Sequence, residues 1–374
     1  MPLPLRLRPN IQLWSVETDS VQLTWSDLPT GKVTAWCAEA HHSIDHPGGP
    51  GSLVLSGLLP AQAQRIDVTW AGGNAHFCTH TLTPPPGELL FRFATLNDVH
   101  IGARRWGASK LMVDRSGLPD PHPIRCARAA INEATAWGAE LIAIKGDAVH
   151  HQVEHHFAAL GRLLDQYPDT PMLLVPGNHD VDGATATPLP ATIGERRLPY
   201  ITGAERYDAD GIGLIMVNTT VPKKGPGALH QANKVYDLLA SGDGPVFIGL
   251  HHQLQRHRIP THYPLGINGR EAQPFLAEVK RRNPNVLISS GHTHRNRRRH
   301  YGSVVTTEIA SSRDWPGVWA GYAVYEGGIV QIIRRVAAPD ALTWHEYSSG
   351  ALGGLWGPWA TGTVEQRCFT HLWR

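Results

Sequence analysis

The chain has 374 residues, with 22 histidines, four cysteines and a formal net charge of only +2 at pH 7. This length allows about two or three domains and a core that needs no disulfides. The low charge gives no sign of a bulk nucleic-acid binder, and the hydrophobic content of 41% argues against long disordered regions. No two cysteines form a CxxC pair, so their spacing excludes a cysteine-based zinc or iron–sulfur site. Because histidine is the commonest metal ligand, its abundance raises the expectation of a metal site.

The N-terminus and the apolar runs predict a cytoplasmic protein. Residues 1–10 contain no continuous apolar stretch of the kind found in secretory signals. No apolar run approaches the roughly 20 residues that a membrane-spanning helix needs. We therefore expect no membrane partner, and we do not expect a nucleic-acid partner.

Residues 1–82 are predicted to form a small all-β domain. Short segments of alternating apolar and polar residues are separated by Gly, Pro, Asp and Asn. These predicted strands cover 11–15, 21–25, 33–38, 52–56, 65–70 and 77–82. Large apolar side chains are needed inside a sandwich, and we expect Trp14, Trp25 and Trp36 in its core.

One stretch of this region resembles a known module. Residues 57–60 (GLLP), followed by 66–68 (IDV), are similar to a turn and a strand of fibronectin type III domains, with Gln64 where that family usually has Tyr. The resemblance implies a fibronectin type III-like β-sandwich over 1–82. Residues 83–88 contain three consecutive prolines, which favour a stiff extended segment, so we place a linker there.

From residue 89 onward, apolar strands alternate with amphipathic helices, a pattern typical of an α/β domain with buried strands. The predicted strands are 89–96, 141–145, 172–176, 212–217, 246–250, 286–289, 304–310, 322–325 and 329–335. The predicted helices are 124–137, 154–166, 230–239 and 271–282. Residues 341–374 carry four tryptophans among glycines, and we expect this tail to pack on the preceding domain or on a partner chain.

Side chains of metal-binding type follow five of the predicted strands. In open α/β sheets, ligands bind beyond the carboxyl ends of the strands. Asp98 and His100 are two residues apart, as are His292 and His294, so in an extended chain both members of each pair would point to one face. The remaining positions are Asp147, Asn178, His179, Asp180, His251 and His252.

Seven of these residues offer oxygen or nitrogen ligands, and none offers sulfur. Such a donor set suits two ions of the Mn, Fe or Zn type in sites that water completes. Asp147 is the natural bridge, because each carboxylate oxygen can bind one ion. A single strand-end Asp or His is more often a cap or a structural residue, but five such groups in this order are hard to explain in that way.

Together, the strand-end motifs resemble the signature of the calcineurin-like metallophosphoesterases, in family order. They are Asp98-x-His100, Gly146-Asp147, Gly177-Asn178-His179-Asp180, His251 and Gly291-His292-x-His294. The resemblance implies an α/β fold, with a metallophosphoesterase β-sandwich flanked by helices over 89–340, preceded by the small all-β sandwich. It also implies a binuclear metal-dependent phosphoric ester hydrolase. By matching position, one ion would be held by Asp98, His100, Asp147 and His294, and the other by Asp147, Asn178, His251 and His292.

The same resemblance implies roles for residues around the metal pair. A hydroxide shared by the two ions would attack phosphorus, and His179 would give a proton to the leaving oxygen. Asp180 would orient the ring of His179. His150, His252 and Arg295 are candidates for contact with the substrate or for support of the metal ligands.

Two further clusters lie near these motifs in sequence. His151 and His155 are four residues apart on a predicted helix, a spacing that can bind a third ion, although a solvated helix face is the favoured interpretation. Arg104 and Arg105 follow the first motif, and Arg295 with 297–299 follows the last. These arginines either clamp a phosphate and steer anions or form exposed basic loops.

The motif combination is similar to the phosphodiesterase branch of the family, which implies a cyclic nucleotide or a glycerophosphodiester as substrate. Purple acid phosphatases carry Tyr where this chain has His150 and Gly where it has His100, so we do not expect a purple enzyme. A phosphomonoesterase acting on proteins or nucleotides is the alternative, and a nuclease or an inactive scaffold is favoured less. A protein partner or a second copy would bind through the N-terminal domain or the tail.

Overall fold

The computed structural model describes residues 11–107, 111–182, 189–222, 225–242, 244–259 and 263–374. Residues 1–10, on which the prediction about the N-terminus rests, lie outside them. The N-terminal strands are β1 (Ile11–Val16), β2 (Ser20–Leu28), β3 (Gly31–Cys37), β4 (Ala40–His46), β5 (Gly49–Ser56), β6 (Ala63–Trp70) and β7 (Gly73–His80). They form two antiparallel sheets of order β1-β2-β5 and β4-β3-β6-β7.

The N-terminal sheets face each other across a buried apolar core. Trp25 and Leu55 from one sheet and Val33 and Ile66 from the other belong to this core. Strand β4 is missing from the sequence prediction, because it lies at a sheet edge and most of its residues are exposed or half-buried. An edge strand of that kind carries no apolar alternation by which it could be recognised.

Trp14 lies outside this core, contrary to the prediction. It is fully buried in the apolar cluster of the following domain, where its ring meets that of Trp315 edge-on at 6.4 Å. The physical reason is a register shift between Leu13 and Ser15, which leaves Trp14 as the extra residue of a bulge and turns its side chain outward. Trp36 is only half-buried.

The second part of the chain contains the remaining strands. In chain order these are β8 (Leu89–Leu96), β9 (Arg105–Trp106), β10 (Met112–Val113), β11 (Leu141–Lys145), β12 (Met172–Val175), β13 (Thr192–Ile193), β14 (Leu198–Pro199), β15 (Ala204–Ala209), β16 (Ile212–Val217), β17 (Val246–Leu250), β18 (Val286–Ser290), β19 (Arg297–Tyr301), β20 (Val304–Glu308), β21 (Val318–Tyr325), β22 (Gly328–Arg335) and β23 (Phe369–Leu372). Two six-stranded sheets have the orders β12-β11-β8-β21-β22-β23 and β15-β16-β17-β18-β20-β19. The pairs β9–β10 and β13–β14 are short hairpins.

The two large sheets pack face to face, which confirms the predicted α/β class with its central β-sandwich. Phe93 stacks on Tyr322 with ring centroids 4.7 Å apart and meets Phe247 of the opposite sheet edge-on at 4.9 Å. The observed strands β11, β16 and β17 coincide with predicted ones because strands buried on both faces are mostly continuous apolar runs.

The described residues form seven α-helices, of which the first four in chain order pack on the two large sheets. They are α1 (His122–Ala136), α2 (Glu154–Leu164), α3 (Ala232–Ala240), α4 (Gly269–Arg282), α5 (Pro339–Ser348), α6 (Trp356–Thr361) and α7 (Val364–Arg367). Helices α1 and α2 share a core with the first large sheet, and α3 and α4 share one with the second. Among the described helices, none combines the length and the apolar character that a bilayer span requires.

The C-terminal tail packs on this sandwich. Strand β23 pairs with β22 and forms the edge of the first large sheet. The ring of Trp344 in α5 stacks on that of His122 at 3.8 Å between centroids. A 3-10 turn over Ala351–Gly354 joins α5 to α6.

Buried polar contacts join the N-terminal sandwich to the large sheets. The amide side chain of Gln22 donates to the carbonyl oxygen of Arg335 and accepts from its backbone N–H, both at 2.8 Å. The side chain of Arg334 pairs with Glu17 at 2.5 Å. The guanidinium of Arg367 donates to the carbonyl oxygen of Trp14 at 2.7 and 3.0 Å. Hydrogen bonds of this kind fix one orientation between two surfaces, because breaking them leaves buried groups without partners.

Candidate metal centre

The predicted ligands converge at one edge of the two large sheets. Strands β8, β11 and β12 are parallel neighbours in the first sheet, and β17 and β18 are parallel neighbours in the second, so their carboxyl ends deliver side chains to a common place. Among the described residues, ligand atoms within 4.8 Å of one another occur in four triads: Asp98–His100–His294, Asp98–Asp147–His251, His251–His252–His292 and His100–His150–His179.

Asp147 lies between the two halves of the cluster. Its Oδ2 is 3.5 Å from His100 Nε2, and its Oδ1 is 3.4 Å from His251 Nε2. His251 Nε2 is also 3.2 Å from Asn178 Oδ1. Because one carboxylate oxygen faces each half, Asp147 has the geometry of a bridge.

Asp98 organises the other side of the cluster. Its Oδ1 is 3.3 Å from His294 Nε2, and its carboxylate accepts the backbone N–H of His292 at 3.0 Å. These contacts of Asp98 with His292 and His294 hold the loop after β18 against the loop after β8.

The backbone of these loops differs from the extended chain that the spacing suggested. Asp98, His100, Asp147, His292 and His294 all have positive φ, between 49° and 67°. They are five of the nine described non-glycine residues in this conformation, which costs L-residues energy and is held only where the surroundings determine it. Both members of each Asp-x-His and His-x-His pair still reach the cluster, but by left-handed turns rather than by the alternation of a strand.

Two glycines make room for this convergence. A Cβ at Gly146 would lie 2.3 Å from His251 Nδ1, and one at Gly177 would lie 2.2 Å from Asp147 Oδ1. Any side chain at these positions would displace a residue of the cluster. Gly146 also has φ of +85°, a conformation that glycine adopts without a Cβ clash.

Outer hydrogen bonds aim the histidine rings. His251 Nδ1 donates to the carbonyl oxygen of Lys145 at 3.0 Å, and His292 Nε2 donates to that of Leu265 at 3.1 Å. His294 Nδ1 lies 3.0 Å from both carboxylate oxygens of Asp314. In each ring the other nitrogen is left for the cluster, as in metal sites where a second partner fixes the ligating tautomer.

The buried carboxylates of the cluster raise the pKa of two histidine rings. Burial opposes charge on His294, but Asp314 and Asp98 outweigh it and raise the pKa of that ring to about 10. Burial also opposes charge on His251, yet Asp147 and Asp98 raise its pKa to about 9. Metal ions bound at these rings would take the place of the protons and neutralise the charge of the carboxylates.

Two other rings are kept neutral. Burial, with the positive charge of Arg313, lowers the pKa of His100 well below its usual range, and burial with the charge on His251 lowers that of His292 to about 4. His100 Nε2 is buried without a hydrogen-bond partner among the described residues. A neutral imidazole nitrogen of this kind is a ready metal ligand, so the donor set fits a pair of transition-metal ions.

His179 lies beside the cluster with its ring held in place. Its backbone N–H donates to Asp147 Oδ1 at 2.9 Å, and its Nδ1 donates to the carbonyl oxygen of His150 at 3.0 Å. Asp180 does not orient this ring, contrary to the prediction. Its buried carboxylate instead accepts three backbone N–H groups, from Gly177, Ala148 and Val149. The side chain of Asp180 therefore closes the turn that carries His179, and the ring of His179 is held instead by the carbonyl oxygen of His150.

The remaining candidates divide into neighbours of the cluster and residues outside it. His150 stacks on His179 with ring centroids 5.2 Å apart. His252 uses both ring nitrogens on protein groups, at 2.9 Å from Thr219 Oγ1 and 3.0 Å from the carbonyl oxygen of Gly225. The cluster therefore brings His150 close, while His252 makes the contacts of a structural residue.

Arg295 lies outside the cluster. It is 1% exposed, its Nε donates to Glu308 Oε2 at 2.7 Å, and its guanidinium lies over the ring of Trp359 at 5.0 Å. Beyond it, Arg297 also lies over the Trp359 ring and Arg298 over that of Phe369. The arginine run thus packs on the C-terminal tail, because β19 carries it away from the metal-binding edge.

The predicted helical pair of His151 and His155 does not form. Helix α2 begins at Glu154, so His151 precedes the helix, and its Nδ1 contacts Asp182 Oδ2 at 2.6 Å. His155 is exposed on the first turn of α2.

A cavity of about 780 Å³ opens on the cluster and contains residues that the sequence prediction missed. Arg313 and Trp106 line it together with His100, His179 and the predicted Arg104 and Arg105. Arg313 is buried and donates to Asp314 from Nε and Nη2 at 3.1 and 3.0 Å. In the sequence, Arg313-Asp314 is a charged pair between two apolar strands. Nothing in the sequence indicated that Arg313 would lie near His100, in the loop after β8.

Comparison with solved structures finds distant likenesses. Purple acid phosphatase PPD1 from yellow lupin (Lupinus luteus) seeds is 13% identical, with 87% of this chain and 72% of that chain covered and a TM-score of 0.47. PhoD is 11% identical, with 88% of this chain and 87% of that one covered and a TM-score of 0.46. GAP50, the anchor in the inner membrane complex of Plasmodium, is 13% identical, with 67% and 85% covered and a TM-score of 0.44.

Comparison at the level of sequence is more specific. No curated protein matches the chain. The family model described as calcineurin-like phosphoesterase matches residues 91–296, which is more than half of the chain and includes all the clustered residues. The chain therefore belongs to the calcineurin-like phosphoesterase family.

Proposed function

We propose that this protein is a binuclear metal-dependent phosphodiesterase that hydrolyses small phosphodiesters, of cyclic-nucleotide or glycerophosphodiester type. The observation that carries the proposal is the position of Asp147, with one oxygen 3.5 Å from His100 and the other 3.4 Å from His251. A carboxylate shared between two sets of ligands is what a two-ion site requires.

The proposed ligand sets follow the two halves of the cluster. One ion is held by Asp98, His100, Asp147 and His294, and the other by Asp147, Asn178, His251 and His292. The orphaned His100 Nε2, and the carboxylates that raise the pKa of His294 to about 10 and of His251 to about 9, support this arrangement. Nitrogen and oxygen donors without sulfur suit Mn, Fe or Zn.

When bound, the two ions would neutralise the phosphoryl charge and supply a hydroxide nucleophile near neutral pH. The protein's own contribution is to hold the ligands and to place a proton. His179 Nδ1 is engaged by the carbonyl oxygen of His150, so the ring is fixed with Nε2 left over. In the imidazolium form, Nε2–H donates the proton to the leaving oxygen.

The space beside the cluster supports a diester as the substrate. The adjoining cavity of about 780 Å³ has room for substituents well beyond a phosphate. This volume favours a diester, although the same metal core would serve a phosphomonoesterase acting on proteins or nucleotides. The N-terminal strands, arranged as three plus four, support our proposal of a fibronectin type III-like domain over 1–82.

The test is an assay of protein reconstituted with Mn on bis- and mono-p-nitrophenyl phosphate, followed by cyclic AMP. We expect hydrolysis of the diester in preference to the monoester. A strong preference for the monoester would replace the diesterase proposal by the phosphatase one. Failure to hydrolyse either ester with two metal ions bound would exclude both enzymes.

The role of His179 is tested on an ester with a poor leaving group. His179→Ala should keep both metal ions and lose about 10²- to 10⁴-fold in turnover, the usual contribution of a positioned acid. On an activated aryl ester the loss should be smaller, because that leaving group needs no proton. His155→Ala, an exposed histidine of α2, is the matched control and should behave as the wild type. Equal losses on both esters would contradict proton donation by His179.

A further inference from the structure

The cavity beside the metal cluster is far larger than a phosphoryl group needs. Its volume of about 780 Å³ falls in the range of about 300–1,000 Å³ that is typical of sites for whole organic ligands. Most of its surface is apolar. Its lining combines charged and metal-ligating groups with apolar side chains, among them Trp106, Leu352 and Trp356. We call the part of the cavity that these apolar side chains line the apolar compartment.

One wall of this compartment comes from the C-terminal tail. Ala351 and Leu352 of the 3-10 turn and Trp356 of α6 line the cavity. Trp356 is anchored by its Nε1, which donates to the carbonyl oxygen of Trp315 at 3.2 Å. Leu352 is 58% exposed, so more than half of the surface of this apolar residue is open to solvent.

Trp106 connects this wall to the metal ligands. Its ring stacks on that of His294 at 5.0 Å and 8°, and it meets the ring of Trp356 at 5.7 Å and 64°. The aromatic surface therefore begins at a predicted metal ligand and continues to the tail. A group attached to a phosphoryl at the metal pair would lie against it.

Further apolar residues line the cavity. Pro226 and Leu265 line it, and the carbonyl oxygen of Leu265 holds His292 at 3.1 Å. Two exposed arginines, Arg104 and Arg105, directly precede Trp106 and also line the cavity. Their charges attract an anion to a cavity whose surface is mostly apolar.

We propose that the tail, through Trp356 and Leu352 and together with Trp106, forms a subsite that binds a bulky apolar organic group of the substrate phosphoester. The inference rests on the proposed function, since the phosphoryl group must lie at the metal pair. It assigns specificity to residues outside the metal-binding motifs. Aromatic walls bind flat rings by stacking, and any apolar group gains from burial in such a compartment.

Alkyl and aryl phosphonates test this subsite without hydrolysis, because their carbon–phosphorus bond makes the acidity of a leaving group irrelevant. Binding of methyl-, butyl- and phenylphosphonate to the Mn-loaded protein is measured by calorimetry. We expect butyl- or phenylphosphonate to bind about tenfold tighter than methylphosphonate or more. A larger gain for phenyl indicates a flat ring as the natural group, and a larger gain for butyl indicates an acyl or alkyl chain.

Variants of the tail locate the effect. Trp356→Ala and Leu352→Ser should each reduce the preference over methylphosphonate to about threefold or less. Leu352→Ser changes an exposed side chain, so it tests the subsite even if Trp356→Ala disturbs folding. Trp359→Ala is the matched control, because Trp359 belongs to the same helix, does not line the cavity and should keep the full preference.

Two outcomes overturn the inference. Equal affinity of the three phosphonates for the wild type would show that the compartment takes no organic group. If both tail variants kept the preference for the larger phosphonates, the subsite would be formed by other residues. In either case the proposed function is tested separately, by hydrolysis of bis-p-nitrophenyl phosphate and by binding of phosphate. It fails only if the protein shows neither hydrolysis nor phosphate binding.

Discussion

The N-terminal sandwich and the metal-binding sandwich use similar residues in different ways. The first contains five of the histidines, namely His41, His42, His46, His76 and His80. Within the described part of the chain, every group of three side chains that could hold a metal ion lies instead between Asp98 and His294. His46 illustrates the difference, since its Nε2 accepts from Trp25 Nε1 at 3.3 Å and approaches the carbonyl oxygen of Gly49 at 3.1 Å.

The relative direction of neighbouring strands explains this contrast. Antiparallel neighbours in the first sandwich send successive strand ends to opposite edges of a sheet, so their side chains are spread out. Parallel neighbours in the second bring all their carboxyl ends to one edge. Histidine content is therefore a weak guide to a metal site, whereas the topology that collects the histidines is a strong one.

The largest difference between the two regions should appear on removal of one carboxylate. Asp147→Asn should lower turnover by about 10³-fold or more, because the amide lacks the charge and the second oxygen ligand that a shared position needs. Asp67→Asn in the N-terminal sandwich, which breaks only a surface pair with Arg65, should leave turnover unchanged. Turnover and bound metal are measured for both variants. Full activity of Asp147→Asn would refute the two-ion site.

Trp14 tests whether the two sandwiches are independent. Trp14→Ala should lower the free energy of unfolding by about 3–5 kcal/mol, because it empties a buried site shared with Trp315. Denaturant unfolding followed by circular dichroism and by metal release should shift together. Trp36→Ala, which alters a half-buried side chain, should cost less. If metal release kept its wild-type midpoint in Trp14→Ala, the sandwiches would be separate units.

The pH dependence of metal binding tests the carboxylate–imidazole pairs. His294 and His251, with pKa values of about 10 and 9, carry protons in the metal-free protein at pH 7. Each metal ion displaces one of these protons, so the affinity for each ion should rise by up to about tenfold per pH unit, levelling off above about pH 9 for the ion at His251 and above about pH 10 for the ion at His294. Calorimetry in buffers of different ionisation enthalpy counts the protons released. Uptake of metal at pH 7 without proton release would contradict this assignment.

The smallest of these effects concerns a residue that touches no ion. Asp314→Asn should weaken metal binding by about 10- to 100-fold, because the carboxylate that aims and charges His294 is lost. The substitution should also reduce the number of protons released on metal binding, because the pKa of His294 falls when the negative charge of Asp314 is removed. Asp208→Asn, at an exposed aspartate, serves as the control. Unchanged affinity in Asp314→Asn would make Asp314 a purely structural residue.

Some roles could not be read from the chain alone because they depend on partners distant in sequence. Asp180 follows His179 directly, but its carboxylate accepts backbone N–H groups of two loops. Arg295 follows His294 directly, yet β19 turns it toward Glu308. Conversely, Asp314 lies 20 residues from His294 and contacts its ring at 3.0 Å. Adjacency in sequence proved a poor guide to contact in these loops.

By itself the sequence determined the buried strands, the order of the metal-binding motifs and the family, because continuous apolar runs and short motifs are local properties. Only the tertiary structure decided how those motifs meet. The left-handed turns at Asp98, His100, Asp147, His292 and His294 are strained locally and exist because the two sheets hold them. The outward turn of Trp14 and the tail wall of the cavity likewise depend on surfaces that form only when distant segments pack together.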